Sequence, residues 1–387
     1  MKSKENTPAI PPHWPRLIDS VERPESVLKW SESEDGWDAY LTELWGNGLF
    51  PLAYRSWREG NVLERLPEPA RAEAEVRMTR YRAGSAASWA EIEKLLALFL
   101  REGFQPVPLK GTHLAIRYYP EVHLRPISDL DVLFTNLEEA EKAFLVMREA
   151  GFIVQSSLDV RNPWRLSQHL PTLVNPESGL PVDIHGSLLY APCDRRWKGG
   201  GRLLTEGLSS FEFRKMELLE LNAEANIVYL SGHTFGKHGD TPKASVLYDL
   251  KLLIESASVD WNRVESLAGT SRLHEETAVA LAMLDGVFSM NVLSFCPSFQ
   301  APSYSSSNIP RSAGKSRRGT LKLMFYSGGS FGPFCFLANM IILPADSLRK
   351  RYPKFAGWPS FVLHFIRFSD LVWKTVKALA GVMTGKR

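Results

Sequence analysis

Two stretches of the 387-residue chain gather side chains that handle phosphate and metal: Leu109-Lys110-Gly111-Thr112 and Arg125-Pro126-Ile127-Ser128-Asp129-Leu130-Asp131. Side chains alternate faces along a strand, so Asp129 and Asp131 project to one side while Leu130 and Val132 turn to the core. Two carboxylates held side by side repel each other unless a positive charge sits between them, and a divalent cation is the natural solution. Magnesium prefers a few carboxylate oxygens together with substrate phosphates and water, so such a pair at a strand edge suits a magnesium-nucleotide complex. A Gly-Thr turn at a helix start offers backbone N–H groups and a hydroxyl to phosphate oxygens, with Lys110 to neutralise charge. Asp183, between Val182 and Ile184, adds a third carboxylate able to ligate a metal and help deprotonate an acceptor hydroxyl.

The elements that must hold these residues follow from periodicity. Ser88-x-x-Glu91 has the form of a capping box, and Ile92, Leu95, Leu96, Phe99 and Leu100 fall on one helical face, predicting a helix over 88–101. A strand over 106–109, a helix over 111–119, a loop over 121–128 and a strand over 130–134 come next. Thr135-x-x-Glu138 opens a further helix with Leu137, Ala140, Phe144 and Met147 inward, and 152–155 forms a third strand. The turn formers Asn175-Pro176-Glu177-Ser178-Gly179 join 169–174 to 180–185 as a hairpin.

Together the motifs K-G-T-x-L, R-P-x-S-D-x-D-V-L and V-D-I-H resemble the uncharacterised nucleotidyltransferase families of the DNA polymerase β superfamily. They are similar to the abortive-infection nucleotidyltransferases in their K-G-x-x-L and R-x-S-x-D-x-D elements. The resemblance runs over most of the chain, taking in the tryptophan-bearing leader, the 169–185 hairpin and the His233-to-His238 element before Leu247-Tyr248-Asp249-Leu250. It implies an α/β (α+β) fold, with a small mixed-sheet nucleotidyltransferase core flanked by N-terminal and C-terminal helical regions. It also implies that Asp129, Asp131 and Asp183 bind two magnesium ions and that Gly111 and Thr112 hold the triphosphate. The superfamily's usual Gly-Ser or Gly-Gly pair is Gly111-Thr112 here, and threonine keeps the hydroxyl. The implied reaction moves a nucleoside monophosphate from an NTP to an unknown hydroxyl or phosphate acceptor. A catalytically silent nucleotide-binding scaffold is the alternative, and a toxin-like transferase acting on tRNA or protein is a third.

Other residues carry competing readings. Lys110 and Arg125 either neutralise phosphate or form structural ion pairs with the acidic pair. Ser128 either touches the nucleotide or caps the turn, and Lys237 would reach the triphosphate from the helical region. His185 reads more readily as a core histidine held by backbone than as a site neighbour. The five-residue spacing of His233 and His238 does not suit a zinc site.

The divisions expected are a helical leader over 1–87, the core over 88–195, a helical domain over 205–296, a Ser- and Pro-rich linker over 297–320 and an aromatic, basic helical segment over 321–387. A helical pattern is expected from Phe211 to about Met290, and Trp37 to Trp57 is expected to be helical too. With 46 Lys and Arg against 43 Asp and Glu, the net charge of +3 gives no field that argues for duplex nucleic acid. Cys193, Cys296 and Cys335 are scattered and odd in number, against a disulfide framework or a structural zinc, so a reducing cytoplasm is expected. The longest apolar run, Phe334 to Leu343, is too short to span a bilayer. Phe361, Phe365, Phe368, Val372 and Val376 recur at helical spacing beside Arg367, Lys374 and Lys377. Docking of that stripe on the protein itself is preferred over peripheral membrane contact through 361–387.

Overall fold

Leu130 to Leu133, buried at every position, form a strand next to the centre of a five-stranded mixed sheet. A computed structural model describes residues 10–30, 36–155, 168–189, 204–237, 243–299, 348–349, 352–355 and 357–383. Strands β1 (Val107–Pro108), β2 (Leu130–Leu133), β3 (Ile153–Val154), β4 (Leu173–Val174) and β5 (Pro181–His185) stand in the order β1-β2-β5-β4-β3. Only β2 and β5 run parallel, while the remaining pairs are antiparallel. A parallel pair needs a long crossover. Here it is the helix α6 (Leu137–Glu149) followed by β3 and β4.

Among the described residues four α-helices precede the sheet: α1 (Trp14–Glu22), α2 (Gly36–Gly46), α3 (Phe50–Glu59) and α4 (Glu68–Arg101). The helical reading of Trp37 to Trp57 resolves into α2 and α3, broken at Gly48, whose φ is +70°. A Cβ at Gly48 would also lie 2.8 Å from Ser245 Oγ, so the bend and a close approach to the later helices both require glycine. Gly48→Ala is therefore expected to lower stability by about 1–2 kcal/mol in denaturant unfolding.

The helix expected to open at Ser88 opens at Glu68 instead, with Pro69 in its first turn where a missing N–H costs nothing. Ser88 is not a cap: its hydroxyl donates to the Gly84 carbonyl, and the expected boundary after residue 87 falls in mid-helix. At 34 residues α4 is about 50 Å long. It belongs to two cores: Ala70, Ala74 and Met78 pack among the other helices, and Trp89, Ile92, Leu96 and Phe99 pack under the sheet. The cap of α6 also shifts by one residue, since Asn136 Oδ1 accepts from the Glu139 N–H while Thr135 donates to the Glu139 carboxylate.

The helical pattern expected from Phe211 is contradicted at its start. Strands β6 (Ser209–Phe213) and β7 (Met216–Glu220) form an antiparallel hairpin that buries Phe211 and Leu218 in the sheet core. Its turn places Arg214 and Lys215 at positive φ, the geometry of a tight hairpin turn without the usual Asn-Gly signal. Helices α7 (Ala223–Ser231), α8 (Ala244–Ser256), α9 (Trp261–Thr270) and α10 (His274–Phe288) follow, and a π-helix, Gly232–Lys237, extends α7.

The last described element is α11 (Ser360–Met383), whose expected docking stripe is reversed: Phe361 and Phe365 are exposed, whereas Leu363 and Arg367 are buried. Among the described residues no helix is long and apolar enough to cross a membrane. Most of the expected linker, the run Phe334 to Leu343, Cys193, Cys335, His238 and the side chains of Lys237, Lys374 and Lys377 lie outside the described residues.

Candidate active site

The parallel pairing of β2 with β5 sets Asp131 directly opposite Asp183, and Asp129 lies two residues before Asp131 on the same face. One carboxylate oxygen from each of the three lies within 4.8 Å of the others. On the opposite face Leu130, Val132, Val182 and Ile184 are wholly buried, which fixes the register: a one-residue slip would drive the carboxylates into the core.

Asp131 is the most enclosed of the three. Its Oδ1 accepts from Lys110 Nζ at 2.6 Å and from His185 Nε2 at 2.8 Å. Burial pushes its pKa up, but the His185 bond and the Lys110 charge outweigh that, and the carboxyl is held well below the usual range. Asp129 shifts the other way, raised by burial and by the Asp131 charge against the opposing Ser128 hydroxyl and Lys110. Ser128 Oγ donates to Asp129 at 2.9 Å, so it orients a carboxylate.

Lys110 reaches the cluster because its backbone is left-handed, with φ of 48° at the start of helix α5 (Lys110–Arg117). A lysine pays strain there, a common mark of functional sites. The Leu109 N–H donates to the Asp131 carbonyl and ties this turn to β2. Thr112 Oγ1 is buried with no hydrogen-bond partner, and a Cβ on Gly111 would come within 3.2 Å of Ile127 Cδ1.

Arg125 does not pair with the acidic pair. Its Nε and Nη2 donate to Asp249 on α8 at 2.9 Å each, Nη1 donates to the Pro126 carbonyl, and the Tyr119 hydroxyl donates to Asp249 at 2.7 Å. Burial alone would lower the Arg125 pKa, but the Asp249 charge keeps it raised. This buried pair fastens the sheet unit to the later helices. A second fastening joins α5, β7 and α7, where His113 and Arg117 both donate to Glu220 and Asn226 donates to His113 Nδ1. Those donors hold Glu220 below its ordinary pKa despite burial.

Four side chains at the site were not singled out as functional by sequence reasoning. Thr172 Oγ1 donates to Asp183 Oδ1 at 2.6 Å, a contact that the hairpin register already contains, because Leu173 opposite Val182 puts Thr172 opposite Asp183. His169 Nδ1 donates to the Leu170 carbonyl, 3.9 Å from Asp183. His185, expected to be held by backbone, bonds Asp131 instead, and burial lowers its pKa so that the ring is neutral with a bare Nδ1. Tyr229, on α7, has a buried hydroxyl with no hydrogen-bond partner. Burial, reinforced by the charges of Asp131, Asp183 and Asp129, holds its pKa well above the ordinary value. No local pattern marks Tyr229, which reaches the site only through tertiary packing.

The chain matches no curated protein. Among solved structures it is similar to an antigenic nucleotidyltransferase-like protein from Paracoccidioides brasiliensis. The identity is 10% and the TM-score 0.32, over 60% of this chain and 96% of that one. A likeness that loose carries no argument. Residues 33–289 match the family described as uncharacterised nucleotidyltransferases, a span that holds Lys110, the three aspartates, Tyr229 and Asp249, and the chain belongs to that family.

Proposed function

We propose that this chain is a magnesium-dependent nucleotidyltransferase that moves a nucleoside monophosphate from an NTP to a hydroxyl or phosphate acceptor and releases pyrophosphate. The convergence of Asp129, Asp131 and Asp183 within 4.8 Å carries this reading. Three hard oxygen donors with no histidine nitrogen or thiolate among them suit magnesium rather than zinc. When bound, the metal would stabilise the attacking and leaving oxygens.

The chain's own residues have distinct parts in this scheme. His185 and Lys110 hold Asp131 through Oδ1, which leaves Oδ2 for the cation. Thr172 orients Asp183 in the same way. The first turn of α5 supplies the free Thr112 hydroxyl and backbone N–H groups to the phosphates, with Gly111 allowing close approach. Lys110 shares its charge with the incoming phosphate, and Ser128 completes the polar surroundings of the nucleotide. Arg125, fully engaged by Asp249 and Pro126, is a positioning residue.

The test is incubation with NTPs labelled at the α-phosphate. Magnesium should raise the melting temperature in the presence of NTP, a ligand at a hundred times its Kd adding about 2.7 kcal/mol. Label should transfer to protein or acceptor, and EDTA should remove both effects. Triphosphate binding indifferent to magnesium would overturn the catalytic reading in favour of a nucleotide-binding scaffold.

A further inference from the structure

Apart from the carboxylates, α3, α4 and the turn Val122–Leu124 border a cavity of about 310 Å³, lined by Arg55, Arg58, Arg82, Glu121, His123 and Leu124 among others. Three guanidiniums stand against one carboxylate there. Arg55 Nε donates to Glu59 at 2.7 Å, but its Nη1 is buried and makes no hydrogen bond. Glu121 lies 3.7 Å from that nitrogen, beyond hydrogen-bonding reach. A buried charged donor left without an acceptor is costly, so the cavity has a place for one.

Arg58 and Arg82 form no ion pair among the described residues, and the Arg82 guanidinium lies 6.0 Å from the Tyr54 ring centroid. Helix α4 is fastened to the turn Val122–Leu124 beside the cavity: the Tyr81 hydroxyl donates to the His123 carbonyl at 2.6 Å, and Ser85 Oγ meets His123 Nδ1 at 3.0 Å. Guanidinium forks match the oxygens of a phosphate, and convergence of several favours a doubly charged group. The volume is at the small end for organic ligands, enough for a phosphate with a sugar-sized body.

We propose that this cavity is a second anion site, which anchors the phosphate of a small phosphorylated molecule without a metal. If the nucleotidyl-transfer reading holds, on which this assignment of the ligand rests, that molecule is the acceptor. Leu124 precedes Asp129 by five residues, which reach at most about 18 Å, so one short stretch of chain walls both sites.

Binding of inorganic pyrophosphate and of ribose 5-phosphate to the full chain, in EDTA and at about 0.15 M chloride to screen loose surface attraction, tests the proposal. Wild type and the Asp129→Asn, Asp131→Asn variant should bind alike. Arg58→Ala with Arg82→Ala should bind at least ~10-fold more weakly, a difference of about 1.4 kcal/mol. Both arginines are exposed, so an unchanged melting temperature is expected, and Arg82→Glu gives an independent second variant. Failure of wild type to bind either probe without metal, equal binding by the arginine variants, or loss of binding in the carboxylate variant would each overturn the second site. Because no metal is present, these outcomes are independent of whether the carboxylates catalyse transfer.

Discussion

Asp131→Asn should lower the rate of nucleotidyl transfer by at least ~10³-fold, equivalent to about 4 kcal/mol of lost transition-state stabilisation. Asp131 is the buried member of the carboxylate cluster and the one on which Lys110 and His185 both converge. The amide keeps the shape of the side chain but removes the negative charge that cation, lysine and imidazole all address. Asp183→Asn should be nearly as damaging, because the β2–β5 register puts that side chain directly opposite. Thr172→Val, which removes only the hydroxyl orienting Asp183, should cost far less. Initial rates with labelled NTP, beside melting temperatures with and without magnesium, check the series. A rate for Asp131→Asn within tenfold of wild type would sink the assignment.

The second large effect is on folding. Arg125→Ala leaves Asp249, with a side chain 3% exposed, as an uncompensated buried charge. The expected cost is about 3 kcal/mol, a fall in melting temperature of roughly 4 °C for a chain of this size. Replacing both partners by leucine should recover much of that loss, since it removes the stranded charge together with its partner. Denaturant unfolding of the single and double variants is the measurement. An Arg125→Ala protein of wild-type stability, deficient only in NTP binding, would instead place the guanidinium on the substrate.

The core of the site was legible because strand alternation and turn chemistry are local. Asp129 and Asp131 share a face by a period of two, and Asn175 to Gly179 makes a turn whatever surrounds it. The elements that went astray were decided by longer-range packing or by an atypical turn. The β6–β7 hairpin turns through Arg214-Lys215, residues seldom found at positive φ, and Phe211 and Leu218 pay for that turn by filling the sheet core. The Ser88 capping box is real as a pattern, yet Pro69 had already started the helix 20 residues earlier and nothing between them stops it. Arg125 and Tyr229 could not have been placed at all, because Asp249 lies 124 residues beyond Arg125, and the carboxylates around Tyr229 stand on or beside strands β2 and β5, far earlier in the chain.

Parallel pairing of β2 and β5 also bears on how such a protein can change over evolutionary time. The carboxylates meet because two distant segments lie level, not because of the distance in chain between them. Residues can therefore be gained or lost in the crossover from 134 to 180 without disturbing the meeting. Within 129–133 or 181–185 a single-residue insertion would invert the parity of every side chain beyond it. Length variation among descendants of this chain should collect in the crossover and leave those two short strands untouched.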